Sequence, residues 1–241
     1  MQNVAIGCDW IAQQWGWQLA RANVMVEGES DVRYFRLASD LNADATGFKL
    51  ISGDLSIFAA GQGNDGGTYG IAERFPTLHN IACLDLDLQT QKRRYRVIAL
   101  VDDDAMGKRV VSGIQAGNRS IIEYEHLFRL RRIMPRRAGS TAKLKEHTLS
   151  SNRGFSDLEC VIEDLLPLAL CTEYASSFPH HQLLKPKICA SGHHAKWTED
   201  GKRGLLKYAQ QHATVADLAL VIDVLKSLRS YLGLPPDGEP R

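Results

Sequence analysis

The chain has 241 residues, a formal net charge of +1 at pH 7, 44% hydrophobic and 24% charged residues, the composition of an ordinary globular protein with room for one large α/β domain or a core with an appendage. Five cysteines (Cys8, Cys83, Cys160, Cys171, Cys189) stand far apart with no C-x-x-C pair, which argues against a disulfide framework or zinc site and for reduced thiols. No basic-then-apolar leader opens the sequence and no stretch approaches the roughly 20 apolar residues of a membrane helix, so the expectation is a cytoplasmic protein with no membrane association.

In chain order, residues 9–22 have helical composition, with Asp9 as N-cap. Three of the four tryptophans, Trp10, Trp15 and Trp17, lie there, either docking the helix on the body or offering an aromatic face to a partner protein. Val24 to Val26 reads as a buried strand that ends in the acidic turn Glu27-Gly28-Glu29-Ser30-Asp31, with a helix over 32–38. Residues 48–51 and 55–60 form a second strand region around a turn at 52–54. The glycine-dense loop 61–68 precedes a helix over 69–75 and is open to two readings, a tight turn or an anion cradle built from backbone N–H groups and a helix N-terminus. It lacks the Lys-Ser/Thr ending of a P-loop.

Arg96 to Val101 is a third strand, continuously apolar as in a parallel sheet covered on both faces, followed by a helix over 105–115. Residues 127–134 alternate apolar and basic side chains, the pattern of an edge strand with one cationic face. Strands alternating with helices predict an α/β domain with a mainly parallel sheet. Composition turns basic and polar over 135–151, and beyond it the pattern is helical over 157–166, 201–211 and 214–232, with a His- and Pro-rich loop at 179–186 and a frayed tail at 233–241. The expected organisation is therefore an N-terminal helix (1–22), a core (23–140) and a C-terminal helical appendage (141–241).

Two apolar strands that end in carboxylates, Glu27 with Asp31 and Asp102-Asp103-Asp104, would gather negative charge at the edge where open α/β sheets bind ligands. Asp102 and Asp104 share a face in extended geometry while Asp103 points away. Like charges held close are costly unless a cation neutralises them, and oxygen-only ligands select Mg²⁺ or Mn²⁺ over zinc. Each acidic turn alone reads equally well as a helix cap, with Ser30 or Asp31 in that role. Arg129, Arg131, Arg132, Arg136 and Arg137, with Lys143 and Lys145, form either a track for nucleic-acid phosphates or a solvated face whose carboxylate partners the fold supplies. The pairs His180-His181 and His193-His194 have no cysteine or acidic partner at ligand spacing and read as loop surface.

Glu27-Gly28-x-x-Asp31 after an apolar strand, a glycine-rich strand-loop-helix, and Asp102-x-Asp104 after another apolar strand together resemble the Toprim domain over residues 22–135. That domain is shared by type IA and type II topoisomerases, DnaG-type primases, OLD-family nucleases and RecR-like repair proteins. Neither a topoisomerase tyrosine domain nor a primase zinc module is recognisable, and the acidic segment Gly154 to Glu159 is similar to the downstream carboxylate of OLD-like and standalone phage-defence Toprim nucleases. The resemblance implies a two-metal phosphodiesterase acting on DNA or RNA. In it Asp31, Asp102 and Asp104 are ligands, Glu27 is ligand or general base, and Glu159, with Ser156 beside it, completes a second metal position. It also implies a late basic residue, for which Lys202 ranks ahead of Lys196 and Lys207. OLD-type nucleases work with an ABC-type ATPase, and no G-x-x-x-x-G-K-[ST] motif occurs here. An ATPase partner in trans is therefore expected, and self-association is compatible with the reading. The rival expectation is a non-catalytic Toprim module that binds nucleic acid or protein, as in recombination mediators.

Overall fold

The computed structural model describes residues 7–61, 65–137, 139–189 and 192–240. Helix α1 (Cys8–Gln14) leads into β1 (Ala22–Val26), α2 (Glu29–Thr46), the short β2 (Phe48–Lys49), β3 (Leu55–Ala59) and α3 (Gly67–Leu84). Then come β4 (Arg96–Val101), α4 (Ala105–Gly117), β5 (Leu127–Arg129) and α5 (Thr141–Ser151). The C-terminal part contributes α6 (Leu168–Ser177), a hairpin of β6 (Lys187–Cys189) and β7 (Gly192–His194), α7 (Glu199–His212), α8 (Ala219–Tyr231) and β8 (Glu239–Pro240).

Four strands form a parallel sheet in the order β3-β1-β4-β5, so the α/β class with helices on both faces holds. All five residues of β1 are buried, and β4 is buried beyond Arg96. The period-2 alternation of the strands divides the core into two layers. Val24, Val26, Ile57, Ile98, Leu100 and Phe128 face α2 and the C-terminal helices, in one continuous apolar cluster that includes Leu205, Val221, Leu225 and Leu228. Met25, Phe58, Val97, Ala99 and Val101 face α1, α3 and α4, with Ile71, Phe75 and Ile114. The C-terminal helices thus complete, with α2, one layer of the sheet's covering.

Several expected boundaries move. Helix α1 stops at Gln14, because Gly16 takes a φ of +68°, and Trp17 then turns inward to stack on Phe58 and donate its indole N–H to the Ala59 carbonyl at 2.9 Å. Trp10 and Trp15 stay about half-exposed, with the Arg74 guanidinium 3.9 Å from the centre of a Trp15 ring. Residues 48–49 leave the sheet and pair with β8 instead. Part of the glycine-dense loop (62–64) lies outside the described residues, and its helix is longer than expected, from Gly67 to Leu84. The expected helix over 157–166 is absent: Cys160 exchanges backbone hydrogen bonds with Asp103, and only a 3-10 turn, Ile162–Leu165, follows. The tail is held, since the buried Arg229 reaches the Pro235 carbonyl, the Leu50 carbonyl and both oxygens of Asp54. Among the described residues no helix is long and apolar enough to cross a membrane.

Candidate functional site

Because β1 and β4 are neighbours in register, the carboxylates that end them meet at the C-terminal edge of the sheet. The Glu27 side chain crosses to the next strand, where its Oε1 accepts the Asp102 backbone N–H at 2.9 Å. Gly28 is the N-cap of α2, and Asp31, one turn in, accepts the Gly28 N–H at 3.0 Å, the acidic half of a capping box. Asp104 is the N-cap of α4 and accepts the Gly107 N–H at 2.7 Å. A Cβ at residue 107 would stand 1.9 Å from the Asp102 carbonyl, so glycine is what allows the α4 N-terminus to come this close to the strand end. The start of α3 joins them, its Gly67 N–H donating to the Glu27 carbonyl at 2.9 Å. Three helix N-termini converge on this edge, and their positive ends offset part of its negative charge.

Asp103 turns the other way, toward Arg129 at 3.0 Å and Arg131. A fifth carboxylate, Glu163, comes from the 3-10 turn and is almost fully buried. The cation facing this group is Lys202, in the first turns of α7.

The electrostatics record the crowding. Burial first, then the charges of Glu163 and Glu27, push the Asp31 carboxyl up to about 7, opposed by the Gly28 N–H and Lys202. Burial and then Asp31, Glu27 and Glu163 hold Asp102 well above the usual carboxylate range. Glu27 is raised by burial and by Asp104, against the Asp102 N–H and Lys202. Glu163 is raised by burial, with Lys202 opposing. For Lys202, burial favours the neutral amine, but Glu163, Asp102, Glu199 and Asp31 outweigh it and raise its pKa. The Tyr34 hydroxyl is buried beside the group with no hydrogen-bond partner among the described residues, and burial and Glu163 raise its pKa well above the ordinary range.

Glu159 lies apart from this cluster's hydrogen bonds, its carboxylate 3.4 Å from His194 Nε2 and 3.6 Å from Lys196 Nζ. His193 and His194 are buried, contrary to the surface reading, and His194 Nδ1 is 2.8 Å from Asp164. The adjacent Glu163 and Asp164 thus face opposite ways, one to the carboxylate edge and one to His194. Lys207 is exposed.

The arginine stripe is largely spent inside the fold. Arg129 bridges Glu123 at 2.6 Å and Asp103, Arg131 pairs with Asp103, and Arg132 is buried with its guanidinium on the carbonyls of Glu159 and His193. Arg136 and Arg137 are exposed, the first 3.6 Å from Asp237.

The donor chemistry fits a hard divalent cation: oxygen ligands only, crowded and mutually repelling, with Glu27, Asp31 and Asp102 on the wall of a space of about 10 Å³, the room of one water, whose other walls are the apolar Val26, Phe35, Leu100, Val101, Leu130 and Ile162. Yet among the described residues no three His, Cys, Asp or Glu side chains are grouped so as to hold an ion. Glu27, Asp31 and Asp104 each commit one oxygen to a backbone N–H. Compared with protein-family models, with curated proteins and with solved structures, the chain has no match.

Proposed function

We propose that this chain is a divalent-metal-dependent nuclease of Toprim type, hydrolysing phosphodiester bonds in DNA or RNA at the C-terminal edge of its sheet. One observation carries the reading: five carboxylates from three parts of the chain gather at one edge beside Lys202, and burial first, then neighbouring charge, raises the carboxyls of Glu27, Asp31, Asp102 and Glu163. A scaffold has no need to bear that repulsion. Asp31, Asp102, Asp104 and Glu163 would hold Mg²⁺ or Mn²⁺, with Glu27 beside them. When bound, such ions supply charge neutralisation at the scissile phosphate and lower the pKa of the attacking water.

The chain's own side chains do the rest. Glu27, fixed through Oε1 by the Asp102 N–H, keeps Oε2 to accept the proton of the attacking water, and its raised pKa suits it to that task. Lys202 Nζ, held near Asp102 and Glu163, would balance charge on the phosphate. Incubation of the protein with Mg²⁺ or Mn²⁺ and DNA or structured RNA tests the proposal. We expect cleavage that falls about a hundredfold or more in Glu27→Ala and Asp102→Ala, corresponding to roughly 3 kcal/mol of transition-state stabilisation. Activity that survives both substitutions rules this edge out.

The ATPase that the resemblance implies would dock in trans, with the half-exposed Trp10 and Trp15 as candidate contacts. Co-purification with a neighbouring gene product tests that part. The second reading, a non-catalytic Toprim module, is favoured by the capping roles of Asp31 and Asp104. Calorimetric titration with Mn²⁺ separates the two, since a scaffold would show no binding that Asp102→Ala removes.

A further inference from the structure

At the opposite end of the sheet, where β4 and β5 begin, a cavity of about 170 Å³ opens between the end of α3 and the end of α8. Arg96 and Asp102 are six residues apart along one strand, which puts this cavity about 20 Å from the carboxylate edge. Its walls carry Arg93, Arg96 and Arg137 with His79 and His126, against a single carboxylate, Glu125.

That carboxylate is already engaged, 3.1 Å from the Thr141 hydroxyl and 3.8 Å from His126 Nε2. None of the three guanidiniums is ion-paired among the described residues. Arg96 is fixed by one bond to the Leu232 carbonyl at 2.7 Å, and Arg137 by one to the Tyr231 carbonyl at 3.4 Å. Each thereby uses one of its five donors and is held in orientation by the end of α8. The two imidazoles meet edge to face with centroids 4.6 Å apart. Burial, with Arg93 beside both, holds His79 and His126 below the ordinary range. The positive charge therefore comes from the arginines: His79 donates its Nδ1–H to the Val97 carbonyl at 3.3 Å, and His126 accepts the Ile122 N–H at Nδ1 with its Nε2 toward Glu125.

Unpaired guanidiniums around a concave, open cavity, two of them fixed, are the arrangement that recognises phosphate through paired N–H donors. We propose that this cavity binds a phosphate group, either free or carried by a small molecule. The site stands whether or not the carboxylate edge binds metal.

The test is calorimetry of the full chain with inorganic phosphate and with adenosine monophosphate, in EDTA so that no metal-bridged binding at the other edge contributes. We expect saturable binding that weakens at least about tenfold in the Arg93→Ala/Arg137→Ala variant and is unchanged in Arg136→Ala. Arg93 and Arg137 are exposed and outside the core, so the variant keeps its fold, which circular dichroism verifies. Equal affinity for the two probes identifies free phosphate as the ligand, and tighter binding of the nucleotide identifies a phosphate carried by a larger molecule. Absence of saturable heat from both probes up to about 10 mM, or undiminished binding in the double variant, overturns the proposal.

Discussion

Replacing Asp31 with asparagine should stabilise the metal-free protein near pH 8 and do much less near pH 5. The Asp31 carboxyl rises from 3.8 to about 7, through burial first and then Glu163 and Glu27. Its folded pKa lies above its unfolded value, so the stability it contributes is complete below about pH 4 and is lost as the pH climbs through about 7. At roughly 1.4 kcal/mol per pH unit between the two values, the full loss approaches about 4 kcal/mol, of which about 3 falls between pH 5 and pH 8. That figure is a ceiling, because Glu27, Asp102 and Glu163 feel the same repulsion and take up part of the titration. The expected gain from Asp31→Asn is therefore larger near pH 8 than near pH 5 by about 1–3 kcal/mol. The substitution keeps an oxygen that can accept the Gly28 N–H, so the start of α2 is preserved. Urea unfolding in EDTA at the two pH values, followed by far-ultraviolet circular dichroism, measures the difference. A variant no more stable than the wild type near pH 8, or one with the same gain at both, would refute the charge crowding.

Two further outcomes follow from neighbouring geometry. Glu163→Gln should weaken Mn²⁺ binding about tenfold or more, while Glu159→Gln, whose carboxylate is engaged by His194 and Lys196, should change it less than about threefold; calorimetric titration reads both. Arg229→Ala should cost about 3–5 kcal/mol in urea unfolding, because it strands the Asp54 carboxylate and unties the C-terminal tail, and Arg229→Lys should not restore a bidentate pair; a loss below about 1 kcal/mol would contradict this.

The strands that build the site were legible because each is a run of apolar residues long enough to be buried on both faces, and because their ends carry carboxylates. Even the turn of Asp103 away from the other carboxylates followed from the two-residue period. What could not be read was whatever depends on partners distant in sequence. Arg129 looked available for phosphate, but Asp103, 26 residues away, claims it, and the carbonyl that accepts from Arg132 belongs to His193, 61 residues on. His194 looked like loop surface because its partner Asp164 is 30 residues away. The segment over 157–166 has helical composition, yet tertiary contacts override it: Cys160 is drawn into bridging with Asp103, and Asp164 folds back onto the Val161 N–H at 3.0 Å.

That override decides which downstream carboxylate faces the edge. An apolar run ending in carboxylates occurs a third time, as Cys160-Val161-Ile162-Glu163-Asp164, and this repetition was the available signal for Glu163. In a regular helix, Glu159 and Glu163 would share a face four residues apart. In the bridge at Cys160 and the 3-10 turn actually formed, Glu159 falls beside His194 and Lys196, while Glu163 is buried toward Asp31 and Asp102. A carboxylate that already has a lysine partner has little to gain from another cation, whereas among the described residues Glu163 shares Lys202 with Glu27, Asp31 and Asp102. On the proposed reading, Glu163 and not Glu159 is therefore the downstream carboxylate that would face the ion.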